Sequence, residues 1–371
     1  MYLESSARQE APYRLCTVVT DCLLVRLLVS EDMERKKQPT VKDLAKRLGI
    51  AVSTVSRSLN DHSGISDKTR KKVLALAEKM GYVRNRSAML MRQSRNTVIG
   101  LVVPDIRNNF YNTLASVLAD QCRTLSFQVL LGITEDNPEF EKEQVQAMVE
   151  ARVAGIVISP SPEPLEATQR LLLRIPTVQM LRHVPSISGD VVRMSDAAGI
   201  RTATEHLLAL GHRRIAYAGT LATISVGAER FRGFREAHEA AGVAFDESLV
   251  RLLPPRAEHA LIGVGELLAL PDRPSALMMG STKMSVGGVR AVAAAGLVIP
   301  RDISVIAYGD SPWCALASPP LSTVRLPIEA MARVAVRKIF AAVNEETDIA
   351  ASSESLEPEF IVRQSTAIWK K

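Results

Sequence analysis

Residues 40–60 read TVKDLAKRLGIAVSTVSRSLN, and this stretch decides the fold of the amino-terminal part of the chain. Thr40 is a typical N-cap residue, and the apolar residues after it recur at helical spacing as far as Gly49, a residue type that commonly ends helices. A second helix follows, with Val55 and Leu59 one turn apart on its inner face. Two short helices joined by a glycine-containing turn predict a helix-turn-helix, although an ordinary helical hairpin would show the same spacing.

The outer face of the second helix carries Val52, Ser53, Ser56 and Arg57, which are small, polar or basic. Between residues 35 and 95 there are sixteen Lys or Arg and four Asp or Glu, a balance of +12, whereas the whole chain carries +6. Neutralising DNA phosphates requires a local excess of this kind. The charge therefore favours a helix that reads the major groove over a plain helical hairpin.

A third helix is predicted after Ser66, which can act as its N-cap. Its inner face would carry Val73, Leu74, Ala77 and Met80. The three predicted helices together form a compact headpiece.

The residues of this headpiece resemble the DNA-binding domain of the lactose-repressor/galactose-repressor (LacI/GalR) family of bacterial transcription regulators. The resemblance rests on the run at residues 40–60 and on GISDKTRKKVLALAEKMGYVRNRSA at residues 64–88. It continues through nearly the whole chain after Gln38. The matching stretches are PDIRNNFY at 104–111, EHLLALGHRRIAYAG at 205–219, ERFRGF at 229–234 and SPPLSTVRLP at 318–327.

The resemblance implies DNA-contacting roles for individual residues. Base contacts are expected from Val52, Ser53 and Arg57. Phosphate contacts are expected from Thr54, Ser56, Asn60, Ser66 and Thr69. In the family, the segment after the headpiece folds into a hinge helix that enters the minor groove, and Asn85, Ala88 and Met91 take those positions here. Met91 stands where leucine is usual, and the same basic stretch is also compatible with a solvated linker.

After Thr97 the pattern changes to apolar strands that alternate with helices. Strands are predicted at 98–103, 127–133, 155–158, 177–181, 214–219, 276–279 and 303–308. This alternation predicts an α/β fold with parallel sheets, in which ligands bind at the carboxyl ends of the strands. The resemblance implies a two-lobed core like the periplasmic binding proteins. It further implies that the chain crosses between lobes three times, the last time near residues 318–327.

We therefore divide the chain into four parts. Residues 1–37 are an amino-terminal extension, expected to be disordered or to reflect a mis-assigned start, because proteins of this family would begin near Met33. Residues 38–83 form the helix-turn-helix domain, 84–96 the hinge helix or linker, and 97–371 the effector-binding and dimerisation core.

Four residues are candidates for effector contacts by their position in the family pattern. Arg230 matches an arginine that the family points into its effector cleft, although a surface salt bridge would also explain it. Phe110 and Tyr111 follow the first core strand, where they either cover a ligand or simply pack. Asp310 ends the strand at 303–308, where it either contacts a ligand or caps the next turn.

The chain also departs from the family pattern at three places where acidic or amide acceptors are usual. It carries Leu181 and Arg182 after the fourth strand, Ser281 and Thr282 after the strand at 276–279, and Gly309 before Asp310. We add Arg182 and Ser281 to the predicted effector contacts.

A cleft with two arginines and few carboxylates favours an anionic effector, such as a sugar acid or sugar phosphate, over a neutral hexose. The competing explanation is that nearby carboxylates, Asp105 or Asp310 among them, already pair with the arginines.

Motifs for catalysis, metals and cofactors are missing from the sequence. There is no GxSxG elbow, no GxGxxG after a strand, and the segment Gly280–Lys283 lacks the glycine spacing of a P-loop. The four cysteines form no CxxC pair and the six histidines are scattered. We therefore predict no catalytic residue, no metal site and no cofactor.

The sequence as a whole predicts a cytoplasmic, homodimeric transcription regulator, most simply a repressor, with a tetramer left open. Its partners would be double-stranded operator DNA and a small-molecule effector, and no membrane. One alternative is a helix-turn-helix fused to a sugar-metabolising enzyme, which would need a nucleotide site. Another is a secreted solute-binding protein, which would need a signal peptide and no basic helix pair.

Overall fold

A computed structural model describes residues 39–59, 64–82, 96–344 and 352–370. The chain divides into two compact units, residues 1–94 and 95–371. The predicted phosphate contact Asn60 and the predicted hinge residues Asn85, Ala88 and Met91 lie outside the described residues, as does the extension before residue 39.

The described part of the first unit contains three helices. They are α1 (Val41–Leu48), α2 (Val52–Leu59) and α3 (Asp67–Lys79). The predicted ends are confirmed: the side chain of Thr40 accepts from the backbone N–H of Asp43 and the Asp43 carboxylate accepts from that of Thr40, while Gly49 ends α1 at φ +66°. At the start of α3, Ser66 accepts from the N–H of Thr69.

A small apolar core holds these helices together. Leu44, Val55 and Val73, one from each helix, are fully buried. Leu74 was predicted to face inward, but 42% of it is exposed. The buried face of α3 is therefore narrower than the spacing of its apolar residues predicts.

The second unit has two lobes, each built on a six-stranded sheet. The strands of lobe one are β1 (Val98–Val103), β2 (Gln128–Ile133), β3 (Gly155–Ile158), β4 (Thr177–Met180), β5 (Asp190–Met194) and β11 (Ser353–Leu356), all parallel in the order β11-β5-β4-β3-β1-β2. Its helices are α4 (Asn109–Thr124), α5 (Pro138–Glu150), α6 (Glu166–Leu172) and α12 (Ile328–Val343).

Lobe two repeats this architecture. Its strands are β6 (Ile215–Thr220), β7 (Val250–Leu253), β8 (Ala276–Met279), β9 (Ser304–Tyr308), β10 (Ser322–Arg325) and β12 (Glu359–Ile361), in the order β12-β10-β9-β8-β6-β7. Only β12 runs antiparallel to its neighbour. Its helices are α7 (Asp196–Ala209), α8 (Ser225–Ala240), α9 (Ala257–Leu268), α10 (Thr282–Ala294) and α11 (Pro312–Leu316). The predicted parallel α/β architecture is confirmed. None of the described helices is long and apolar enough to span a bilayer.

The chain crosses between the lobes three times. The crossings lie between β5 and α7, between β10 and α12, and between β11 and β12. The crossing expected near residues 318–327 is thus the second and not the last, because a short carboxyl-terminal strand is added to each sheet. These strands tie both lobes to the end of the chain.

Candidate functional site

The outer face of α2 is free of contacts that would hide it within the first unit. Val52, Ser53 and Arg57 are exposed, as expected of base-reading residues, while Thr54 and Ser56 are half-buried at its edges. At the start of α3, the hydroxyls of Ser66 and Thr69 lie 2.9 Å apart, within hydrogen-bond distance. A phosphate at this helix end would meet hydroxyls that are already ordered by the cap.

Between the two lobes of the second unit lies a cavity of about 280 Å³. It is formed where the carboxyl ends of the strands of both sheets meet, which is where α/β folds bind ligands. Five of the six predicted effector residues line it: Phe110, Tyr111, Arg182, Arg230 and Ser281.

Arg230 belongs to a fully buried cluster in lobe two. Its Nε donates to Asp196 Oδ1 over 2.5 Å, and its Nη1 donates to the carbonyl oxygen of Gly280. Tyr308 donates its hydroxyl to the same Asp196 oxygen, and its ring centre lies 4.1 Å from the guanidinium carbon of Arg230. Burial alone would lower the pKa of Arg230, but the charge of Asp196 raises it. Arg230 therefore stays cationic and fixed.

Arg182 is paired in lobe one. Its guanidinium donates to the carboxylate of Asp136 and, over 3.3 Å, to the carbonyl oxygen of Pro160. Leu181 and Asp136 both adopt positive φ, +67° and +62°, which non-glycine residues rarely do. Backbone strain of this kind beside the cavity indicates that the surrounding structure holds Leu181 and Asp136 in place. Arg182 Nε remains without a hydrogen-bond partner among the described residues.

These contacts remove the reason for which an anionic effector was predicted. That argument required a buried guanidinium without a partner, whereas Arg230 and Arg182 are paired with Asp196 and Asp136. The competing explanation, that carboxylates of the protein already pair with both arginines, is the one that the structure supports. The carboxylates differ from those suspected, which were Asp105 and Asp310.

The aromatic residues and Ser281 serve packing as well as lining the cavity. Phe110 and Tyr111 are each 3% exposed and meet edge to face with ring centres 5.2 Å apart. The hydroxyl of Tyr111 lies 2.9 Å from Ser159 Oγ. Ser281 is the N-cap of α10, where its side chain accepts from the N–H of Met284. Phe110 and Tyr111 therefore pack in the core and also line the cavity, and their contact with an effector stays a prediction.

Asp310 is not among the residues that line the cavity, which corrects its predicted role. Its carboxylate accepts from Thr323, Arg325 and Arg363. Although burial alone would raise the pKa of Asp310, these hydrogen bonds lower it. Asp310 therefore ties β9 to β10 and to the carboxyl-terminal segment instead of facing a ligand.

One ion pair at the cavity joins the two lobes. Lys283, in the first turn of α10 in lobe two, donates to Asp105, which follows β1 in lobe one. Arg107 Nε also donates to Asp105, over 2.9 Å. Burial alone would raise the pKa of Asp105, but these hydrogen bonds lower it to about 2, so the carboxylate is ionised at neutral pH.

Sequence reasoning left several polar residues at the cavity without a role, among them Asp136, Thr220, Arg256 and Lys283. Asp136 lies in the loop after β2, which ends at Ile133, and Thr220 ends β6; the strand-end rule could have found both positions. Lys283 belongs to the segment Gly280–Lys283, which lacks the glycine spacing of a P-loop, so no motif assigned it a role. Arg256 precedes α9 after a strand that was not predicted, so no sequence signal pointed to it. No group of three described His, Cys, Asp or Glu side chains is placed to hold a metal ion.

Two family profiles match the chain. Residues 40–85 match the family described as bacterial regulatory proteins, lacI family, and residues 204–366 match a periplasmic binding protein-like domain. The first match covers all three headpiece helices and the second covers most of lobe two.

Individual proteins are similar over most of the length. The HTH-type transcriptional regulator DegA of Bacillus subtilis (strain 168) is 32% identical over 338 residues, which are 88% of this chain and 98% of DegA. A structure of the transcriptional regulator CelR in complex with cellobiose is 28% identical, with a TM-score of 0.66 over 88% of this chain and all of CelR. The lac repressor dimer bound to operator, at 22% identity, shows the same fold with a TM-score of 0.78 over 89% of this chain and all of the repressor chain.

Proposed function

Because the chain belongs to the LacI family of bacterial regulatory proteins, we propose that it is a repressor that binds operator DNA and responds to a small molecule held between its lobes. The observation that carries the DNA-binding part is the amphipathic α2. Val55 and Leu59 are buried against the other helices while Val52, Ser53 and Arg57 face outward. A helix held by one face and free on the other is the device with which helix-turn-helix proteins read DNA.

The outward residues of α2 suit base edges. Arg57 can donate two parallel hydrogen bonds to guanine, and Val52 can contact a thymine methyl group. Thr54, Ser56, Ser66 and Thr69 offer hydroxyls for phosphates, which position a protein without specifying sequence. Asn60 and the hinge residues Asn85, Ala88 and Met91 complete the proposed interface on the strength of the family resemblance alone.

The proposed repressor acts as a homodimer, because operator half-sites are read by paired headpieces. Support comes from β2, which forms one edge of the sheet in lobe one and exposes Leu130, Leu131 and Ile133 by 38–41% each. An edge strand with three exposed aliphatic side chains needs a cover in solution. A second copy of the chain would supply that cover, and a tetramer would require a further surface.

The cavity suits a small polar metabolite of the sugar or sugar-acid type. It combines the apolar faces of Phe110, Tyr111 and Leu326 with fixed polar groups such as Arg182 and Ser281. The CelR structure contains cellobiose, which makes a carbohydrate a reasonable starting point. Closure of the lobes around such a ligand would alter operator affinity if the two lobe arrangements bind DNA differently.

The regulator is preferred to an enzyme fused to a helix-turn-helix domain. The alignment with DegA covers 98% of that regulator and 88% of this chain, which leaves no room for an additional catalytic domain in the aligned part. The same comparison favours a cytosolic protein, since operator DNA lies in that compartment.

The proposal can be tested by selecting DNA from a randomised library with the full chain. We expect enrichment of near-palindromic sites with two half-sites about one helical turn apart. Binding to the enriched site should then weaken or strengthen on addition of one member of a sugar and sugar-acid library. Enrichment without any symmetry, or no enrichment at all, would contradict an operator-binding dimer.

A further inference from the structure

The charges around the cavity are distributed unequally between the lobes. Lobe one contributes Asp105, Glu135 and Asp136 against Arg107 and Arg182, and lobe two contributes Arg230, Arg256 and Lys283. The lining of lobe one therefore carries −1 and that of lobe two +3. Among the described residues, Arg230 has a carboxylate of its own lobe within ion-pair distance, Asp196, whereas the other two cations of lobe two at the cavity have none.

Lys283 obtains its counter-charge from the opposite lobe. It lies in the first turn of α10, where the helix dipole disfavours a cation, so a nearby anion is needed to offset this cost. Asp105 supplies that anion across the cavity while also accepting from Arg107. The side chains of Lys283 and Asp105 are 27% and 20% exposed. Both groups are thus within reach of solvent and of a ligand.

Arg256 is a second cation of lobe two at the cavity. It is exposed, and its guanidinium forms no ion pair or side-chain hydrogen bond with any residue that the structure describes. It directly precedes α9, so the N-terminus of that helix adds to the positive potential. Arg230 and Arg182 are each paired with a carboxylate of their own lobe. The excess positive charge of lobe two at the cavity therefore comes from Lys283 and Arg256.

We propose that Lys283 selects the charge of the effector: an acid group of the ligand replaces Asp105 as the partner of Lys283, with Arg256 assisting. The effector is accordingly a hydroxylated acid, and its hydroxyls face lobe one. There a hydroxyl can donate to Asp136, whereas a second acid group would be repelled by Asp136 and Glu135. This inference rests on the proposed effector site and names the class of ligand that fits it.

The exchange of partners has a structural consequence. The ion pair of Asp105 and Lys283 links the lobes directly. With an acid bound, the link runs through the ligand, and Asp105 keeps Arg107 as its counter-ion. A neutral ligand leaves the direct link in place, so acids and neutral polyols should differ in more than affinity.

The test is calorimetric titration of the full chain with D-gluconate, D-glucuronate and D-glucose 6-phosphate. D-glucitol serves as the neutral counterpart of gluconate, since it carries a CH₂OH group in place of the carboxylate. We expect at least one acid to bind more tightly than glucitol by about tenfold or more, the size of one charge-assisted contact.

Three variants sharpen the test. Lys283→Met should weaken the preferred acid about tenfold or more while leaving glucitol within about threefold. Asp105→Asn should instead strengthen the acid, because Lys283 then has no competing carboxylate. Arg273→Gln, which removes an exposed cation of lobe two that does not line the cavity, should change neither ligand.

Several results would overturn the inference. They are glucitol binding as tightly as every acid, equal losses of acid and glucitol in Lys283→Met, or no binding of any of the three acids. Operator binding by the same preparations separates this failure from failure of the proposed function. Operator binding without acid binding would refute the acid effector and leave the proposed repressor function supported. Absence of operator binding by the parent chain would refute the proposed repressor function.

Discussion

The buried pair of Arg230 and Asp196 gives the sharpest prediction about stability. Their side chains are 6% and 3% exposed, and Asp196 also accepts from the hydroxyl of Tyr308. Replacing Asp196 by alanine leaves the guanidinium of Arg230 buried with only the carbonyl oxygen of Gly280 and the ring of Tyr308. Removing one member of a buried ion pair costs about 3–5 kcal/mol of unfolding free energy, mainly because the other charge is left uncompensated.

That cost converts to a fall in melting temperature. For a unit of this size, 1 kcal/mol corresponds to about 2–4 °C, so Asp196→Ala should lower the Tm of the core by about 6–20 °C. The matched control is Asp120→Ala, which breaks the ion pair with Arg123 on the exposed surface of α4. Its two side chains are 64% and 79% exposed, and such pairs contribute about 0–1 kcal/mol.

Differential scanning calorimetry of the full chain at one fixed protein concentration measures both variants. The concentration must be held because association of the proposed dimer itself raises Tm. The double variant Asp196→Ala/Arg230→Met removes the stranded charge together with its partner, so its loss should be smaller than the sum of the single losses by about 0.5–3 kcal/mol. A fall of less than about 3 °C for Asp196→Ala, or strictly additive losses, would refute the reasoning.

Three further predictions concern single positions. Arg57→Ala should weaken binding to the selected operator by about 1–3 kcal/mol while random DNA at the same salt concentration is bound nearly as before; fluorescence anisotropy on both DNAs checks this, and equal losses would show that Arg57 contacts phosphate only. Tyr217→Phe removes a buried hydroxyl that has no hydrogen-bond partner among the described residues. Thermal melting should therefore show an unfolding free energy that is unchanged or higher by up to about 1 kcal/mol. Gly233→Ala places a Cβ 2.1 Å from the carbonyl oxygen of Ala197 and should force α8 away from α7, at a cost of about 1–3 kcal/mol in chemical unfolding; an unchanged midpoint would mean that the helices yield freely.

The headpiece could be predicted from sequence because local chemistry specifies it. Thr40, Gly49 and Ser66 mark helix ends through their own hydrogen bonds or backbone preference, and each does so in the structure. The central strands were equally accessible, since strands buried on both faces are continuous apolar runs. Strands with charged residues were missed: β5 contains Asp190 and Arg193, and β7 contains Arg251, so neither reads as such a run.

The pairing of the cavity residues could not be predicted, because it depends on where distant segments meet. Asp136 lies 46 residues before Arg182, and Asp196 lies 34 residues before Arg230. Asp136 reaches Arg182 only after β2 and β4 have been placed in one sheet, and Asp196 reaches Arg230 only after α7 and α8 have packed together. The family pattern identified Arg230 and the position of Arg182 but not the carboxylates that pair with them. The argument for an anionic effector treated both arginines as unpaired and was therefore based on the wrong residues.

The crossings between lobes connect the cavity to the rest of the fold and lead to one last prediction. Asp196 begins α7 directly after the first crossing, and its carboxylate accepts hydrogen bonds from Arg230 and Tyr308. Leu326 lies at the second crossing. Arg230, Tyr308 and Leu326 all line the cavity. A ligand that touches these side chains therefore lies next to two of the segments that connect the lobes. It changes operator affinity only to the extent that it favours one lobe arrangement over another.

An acid and a neutral polyol of the same size should differ in that respect. According to the proposal, the acid replaces the direct link between Asp105 and Lys283, whereas the polyol leaves this ion pair intact. We expect D-gluconate and D-glucitol, each at a saturating concentration, to shift the operator dissociation constant by different factors in anisotropy titrations. In Asp105→Asn, where the link is already broken, the difference between them should shrink. An identical shift with both ligands in the parent chain would show that the interlobe ion pair has no part in the response.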